Sequence, residues 1–157
     1  MIRPAVSIVL AVVLVGVATG ALSTTETERS VAQIEGEIDR LERAAADLVA
    51  SSTAVAGIDS AGRVPVTVTV PDGGISSARI DRVRLGCPVS VPSEECPPWQ
   101  ASYRLPDGTA RQLSVDGPRL RTTGGPLVFG PGKHRLSLAH VRTEDDRPAV
   151  VVSRRDA

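Results

Sequence analysis

Hydrophobic positions follow three rhythms along the chain. Ala5 to Leu22 (AVSIVLAVVLVGVATGAL) is apolar and carries no charged residue. Val31, Ile34, Ile38, Leu41, Ala45 and Leu48 then recur at spacings of three and four. From Val64 the pattern alternates, with Val64, Val66, Val68 and Val70 between Pro65, Thr67 and Thr69. The first rhythm predicts a helix of about 27 Å, close to the thickness of a bilayer's hydrocarbon core. The second is an a/d seam along one side of a helix. The third is the period of a half-buried strand, and Pro65 within it predicts an edge strand or a strand start.

Further strands are expected over Ala78–Leu85, Gln100–Leu105, Ala110–Val115, Leu127–Phe129, Lys133–Arg142 and Pro148–Ser153. The alternation in Ala78–Leu85 changes face between Ile80 and Val83, a sign of a bulge or twist. Pro106-Asp107-Gly108-Thr109 is hairpin chemistry: proline presets one turn dihedral and glycine supplies the other. Trp99, Ala101, Tyr103 and Leu105 share parity and read as core. No second helical run exists to build a parallel sheet. The predicted class is therefore α+β: a transmembrane helix continuing into an amphipathic helix, then an antiparallel sheet or sandwich of six to seven strands. The expected divisions are 1–23 as anchor, 24–52 as amphipathic helix, 53–62 as linker and 63–157 as an extracytoplasmic β domain.

Charge gives the anchor a direction. Arg3 precedes the apolar run and Glu26 and Glu28 follow it. The positive-inside rule then keeps the N-terminus in the cytoplasm and sends the rest outward. A cleaved signal peptide ending among Thr19, Gly20 and Ala21 exports the same residues. The spanning length of the run favours a retained signal anchor in the cell membrane. Gly16 and Gly20 form a GxxxG in the same register as the seam, a spacing that lets helices approach closely in lipid. The seam itself fits either a partner helix or the chain's own β domain, while Glu35, Glu37, Asp39, Arg40, Glu42 and Arg43 fall mostly elsewhere and are expected in solvent. Asp39 and Arg43 form an i,i+4 pair of favourable order.

Formal net charge is zero, but Thr24–Ser51 carries net −4 and Ser52–Ala157 net +3. No basic excess points to nucleic acid. With Trp99, Tyr103 and Phe129 the only aromatics, recognition by stacking is disfavoured too.

Cys87 and Cys96 are the only cysteines, and outside the membrane a disulfide is the default for such a pair. A metal site would need ligand spacings that are missing here. His134 and His140 lie six residues apart on one predicted strand, about 20 Å, too far to share an ion. Gly130-Pro131-Gly132-Lys133-His134 lacks the strand–loop–helix setting of a phosphate loop and reads as a turn. Glu144-Asp145-Asp146 reads as a solvated hairpin tip. Arg79, Arg82 and Arg84 read as a solvated strand face or, less simply, as a basic patch for an acidic partner. No nucleophile–base arrangement emerges, so neither an enzyme nor a cofactor is expected.

An apolar helix running into an amphipathic one, followed by a β domain with a disulfide loop, resembles type IV pilins and pseudopilins in plan. The chain departs from them at Met1-Ile2-Arg3-Pro4, where a pilin precursor has a basic segment ending in Gly or Ala. It also has no acid before Glu26. The segments AQIEGEIDRLERAAADLV (32–49), ASYRLPDGTARQLSV (101–115) and Pro131–Ser153, with GKHRL and RPAVVV, resemble small uncharacterised membrane proteins of haloarchaea. The near-exclusive use of arginine, with Lys133 the only lysine, agrees. Members of that group are of unknown function, and some accompany pilus or secretion assembly systems. With the continuous Gly16–Leu48 helical face, the expectation is a non-enzymatic accessory or structural part of a pilus-like or secretion assembly, touching other membrane proteins of that assembly. The alternative is an anchored or secreted ligand-binding or adhesive β domain.

Overall fold

The computed structural model describes the backbone of residues 3–155 apart from 75, 76, 93, 97, 98, 115, 116 and 145; side chains are described from Thr25 on, those of residues 99 and 100 also excepted. One α-helix, α1 (Arg3–Ser51), is followed by ten strands among the described residues. They are β1 (Val55–Ala56), β2 (Arg63–Val70), β3 (Arg82–Leu85), β4 (Cys87–Pro88), β5 (Trp99–Arg104), β6 (Ala110–Ser114), β7 (Leu120–Thr122), β8 (Leu127–Phe129), β9 (Gly132–Arg142) and β10 (Pro148–Arg154).

The strands form two sheets. In the larger, β9 pairs with β2 and β1 on one side and with β10 on the other, and β7 and β4 continue beyond β10. In the smaller, the order is β6-β5-β3-β8. The smaller sheet is antiparallel as expected, and so are the β2–β9 and β9–β10 pairs. The β1–β9, β10–β7 and β7–β4 pairs are parallel, which corrects the expectation of a purely antiparallel sheet. The parallel neighbours include the two- and three-residue strands β1, β4 and β7. These are too short to show alternation in sequence and are joined by long-range crossovers.

The six positions of the seam do not form a free face. Ile34, Ile38, Leu41, Ala45 and Leu48 are buried in one core with Val68 and Val70 of β2, Leu136 and Leu138 of β9 and Val150 and Val152 of β10. Val31 packs against its margin. Val83, Leu85, Ala101, Tyr103 and Phe129 of the smaller sheet complete the same core. The helix is thus the third wall of the β domain, and its apolar stripe is satisfied within the chain. Leu105 and Ile80 are buried there too, with Ile80 reached from coil before β3. The segment 53–62, expected as a linker, carries β1, and its Ile58 and Ala61 cover Ala139, Val141 and Val151 on the opposite side of the larger sheet.

Gly86 is the point where the chain leaves one sheet for the other, between β3 and β4. Its φ is +76°, and a Cβ there would lie 2.8 Å from the Thr122 Cγ2 atom of β7. Only glycine fits both the left-handed conformation and that approach.

Among the described residues no helix is long and apolar enough to cross a membrane. The uncharged stretch expected as the anchor, with Gly16 and Gly20, lies outside the residues whose side chains are described.

Candidate functional site

Three structural junctions and one exposed face draw together the polar residues singled out by the sequence. The first junction joins α1 to β2. Glu37 is buried, in contrast to its expected place in solvent. Its Oε2 accepts a hydrogen bond from the Thr69 N–H at 3.3 Å and its Oε1 accepts one from Arg40 at 3.0 Å. The pairing across β2 accounts for this burial: β9 occupies one side of β2, and the carboxylate meets a backbone donor on the other. Asp39 and Arg43 do not form the expected carboxylate pair; Arg43 Nε donates to the Asp39 carbonyl oxygen at 3.2 Å.

The second junction fixes the end of the helix. Ser52 Oγ donates to the Leu48 carbonyl at 2.5 Å and lies 3.0 Å from His140 Nδ1. With the single hydroxyl proton directed to Leu48, His140 Nδ1 is the donor to Ser52. His140 is buried on β9, and its Nε2 has no hydrogen-bond partner among the described residues. His134, on the same strand, donates from Nε2 to the Gly130 carbonyl at 2.7 Å and packs against Phe129 with ring centroids 4.8 Å apart. The glycine-rich turn from Gly130 is therefore closed by its own histidine. The two histidines serve different junctions.

The third junction is the disulfide loop. Cys87 and Cys96 are bonded, as expected. Sequence reasoning missed the residue that holds the loop down. Arg121 of β7 is buried, and its guanidinium donates to Cys96 Sγ and to the carbonyls of Val89 and Val91. No local signal marked it: Arg121 stands in the polar run Arg119-Leu120-Arg121-Thr122-Thr123.

The exposed face belongs to the smaller sheet. Arg82 of β3 stands directly opposite Arg104 of β5, and Arg84 stands between Ser102 of β5 and Val128 of β8. These side chains line a depression of about 180 Å³. Arg79, expected beside Arg82 and Arg84, instead pairs with Asp81 at 3.5 Å. Arg104 takes its place because the β3–β5 register brings it there.

On the inner side of the same sheet, Tyr103 is buried. Burial first, and then the Glu35 carboxylate on α1, hold its phenol above the ordinary value of 10.0, with Arg111 pulling the other way. Asp107, at the tip of the β5–β6 hairpin, lies below its ordinary range because the Thr109 N–H, 2.8 Å away, favours the carboxylate. At the β9–β10 tip Asp146 pairs with Arg142 at 3.1 Å, Glu144 is exposed and Asp145 lies outside the described residues. Among the described residues no group of three or more His, Cys, Asp or Glu side chains is placed to hold a metal ion.

The sequence profile of one family, described as a domain of unknown function (DUF7311), matches residues 1–155. The chain belongs to this family. No curated protein and no solved structure matches it. The matched residues include the apolar stretch, the seam and the strands.

Proposed function

We propose that this DUF7311 chain is a non-enzymatic, single-pass membrane protein that holds its β domain outside the cell membrane, as an accessory or structural part of a surface assembly of the pilus or secretion type. The observation that carries this reading is the continuity of α1 from Arg3 to Ser51. Its first part contains the uncharged Ala5–Leu22 run, and its last part is a wall of the β domain's core. Force or orientation imposed on the membrane end would pass directly into the domain, without a flexible joint. Arg3 before the run and Glu26 and Glu28 after it support a reading with the N-terminus in the cytoplasm and the domain outside. The Cys87–Cys96 disulfide suits an extracytoplasmic compartment. The likeness in plan to pilins and the resemblance to small haloarchaeal membrane proteins point to the same setting.

Since the outer seam is occupied by the chain's own sheets, contacts with neighbours in the membrane fall to Gly16 and Gly20. Native electrophoresis of detergent-solubilised membranes tests this. The wild type is expected in a complex larger than one chain, and Gly16→Leu with Gly20→Leu is expected to release the folded monomer. A wild type that migrates as a monomer, or a complex unchanged by the double substitution, contradicts the assembly role.

A second reading has its own observation. Between the Gly57–Ile58 segment and the disulfide loop, a cleft of about 370 Å³ has Val141 and Val151 on its floor. That setting suits a small apolar ligand, with the β domain as an anchored binding module. Thermal stabilisation of the wild type by an apolar ligand panel, abolished by Val151→Arg, supports it.

A further inference from the structure

We propose that the outer face of the smaller sheet docks an acidic, extended segment of a partner protein. This inference stands on the sheet's register and does not depend on the membrane reading.

The pairing fixes which side chains share the face. Arg82 is opposite Arg104, Arg84 is opposite both Ser102 and Val128, Ser102 is opposite Gln112, and Arg104 is opposite Ala110. None of the outward residues on β3, β5, β6 and β8 is Asp or Glu. Arg82, Arg84 and Arg104 are all exposed, and none has a carboxylate within ion-pairing distance among the described residues. Like charges directly opposite one another on neighbouring strands destabilise a sheet. Elsewhere some exposed arginines stand beside acids, as in Arg63–Asp59 and Arg142–Asp146. On this face repulsion is left without a counter-charge among the described residues, and an external anion would remove it.

The chemistry of the face selects the partner. Val128 is 46% exposed in the middle of the β8 edge, with Arg84 beside it. Arginine around a small apolar centre is the composition of a protein interface. Guanidinium groups bind carboxylates in a two-pronged geometry. Arg82 and Arg84 are two residues apart on β3, so their spacing is about 6.6–7 Å. That is also the spacing of alternate side chains on an extended peptide. Glutamates at every second position of such a segment would meet the two arginines in register, with Arg104 flanking the first. Described side chains on this face offer no aromatic platform for bases or sugars.

The test uses the full chain in detergent and a fluorescent peptide of alternating Glu and Ser, read by anisotropy. Binding is expected, weakening between about 0.1 M and about 1 M salt as the charges are screened. R82E/R84E/R104E is expected to lower affinity at least about tenfold. R82Q/R84Q/R104Q, which adds no new charge, is expected to lower it as well, with thermal melts showing that both variants fold. A control of equal charge change away from the face, R29E/R43E/R63E, is expected to bind within about twofold of wild type. Failure of the wild type to bind overturns the proposal. So does an equal loss in the control, which would mean general charge attraction. Binding to phosphatidylglycerol vesicles without binding to the peptide would assign the face to lipid and overturn the protein partner.

Discussion

Glu37 of α1 accepts a hydrogen bond from the Thr69 N–H of β2 at 3.3 Å. Through that contact a helix carboxylate completes the edge of a sheet, and the helix cannot be lifted away without stranding a backbone donor. Glu37→Ala is expected to destabilise the protein by about 1–3 kcal/mol, the range for leaving a buried donor unsatisfied. Glu37→Gln should recover part of it. Chemical denaturation of the three proteins measures the differences.

The β domain depends on the helix for its core. Leu41 is fully buried in the core, and Leu41→Ala is expected to cost about 2–5 kcal/mol. A fragment beginning at Gly57 loses the whole stripe from Val31 to Leu48 and should fail to show a cooperative thermal transition. One beginning at Thr25 should show it. Circular dichroism melts of the two fragments give the answer.

The crossing between sheets rests on a single glycine. Gly86→Ala introduces a Cβ 2.8 Å from Thr122 Cγ2 at a φ of +76° and is expected to cost about 1–3 kcal/mol. Gly36→Ala has open space around it on the helix and should stabilise by about 1 kcal/mol or less. Opposite signs for the two substitutions in the same denaturation assay are the expected outcome.

Tyr103 sets an alkaline limit. Its phenol is held above 10.0 in the folded protein, so at high pH the unfolded chain loses the proton first. The stability linked to this group is complete below pH 10.0 and falls as pH rises through the folded-state value. Tyr103→Phe should flatten that loss. At neutral pH it should change stability by less than about 1 kcal/mol, because the hydroxyl has no partner of good geometry among the described residues. Melting temperatures across the alkaline range report both effects.

Much of this architecture was legible in the residues. The spacing from Val31 to Leu48 gave the buried stripe, and the alternation from Val64 gave β2. Pro106–Thr109 gave the hairpin, closed by the Leu105 N–H on the Thr109 carbonyl at 2.9 Å. What escaped was whatever depends on partners distant in sequence. β1, β4 and β7 are defined by the strands beside them, and no local pattern marks segments so short. Glu37 looks like any polar helix residue until β2 presents Thr69 to it. Arg104 joins Arg82 only once the β3–β5 register is known, and Arg121 becomes a clasp only when the disulfide loop folds over β7. Periodicity reports which side of an element is apolar. It does not report which polar residue will meet which backbone group.

The central claim is that one helix ties a membrane anchor rigidly to the β domain. Alkaline carbonate extraction of membranes bearing the full chain, with external protease applied to intact cells and the retained fragment sequenced, tests it most directly. The account predicts a carbonate-resistant protein that still carries Met1–Arg3 and whose β domain is digested from outside. Release of the chain into the carbonate supernatant, or a chain beginning near Ala21–Ser23, would contradict it.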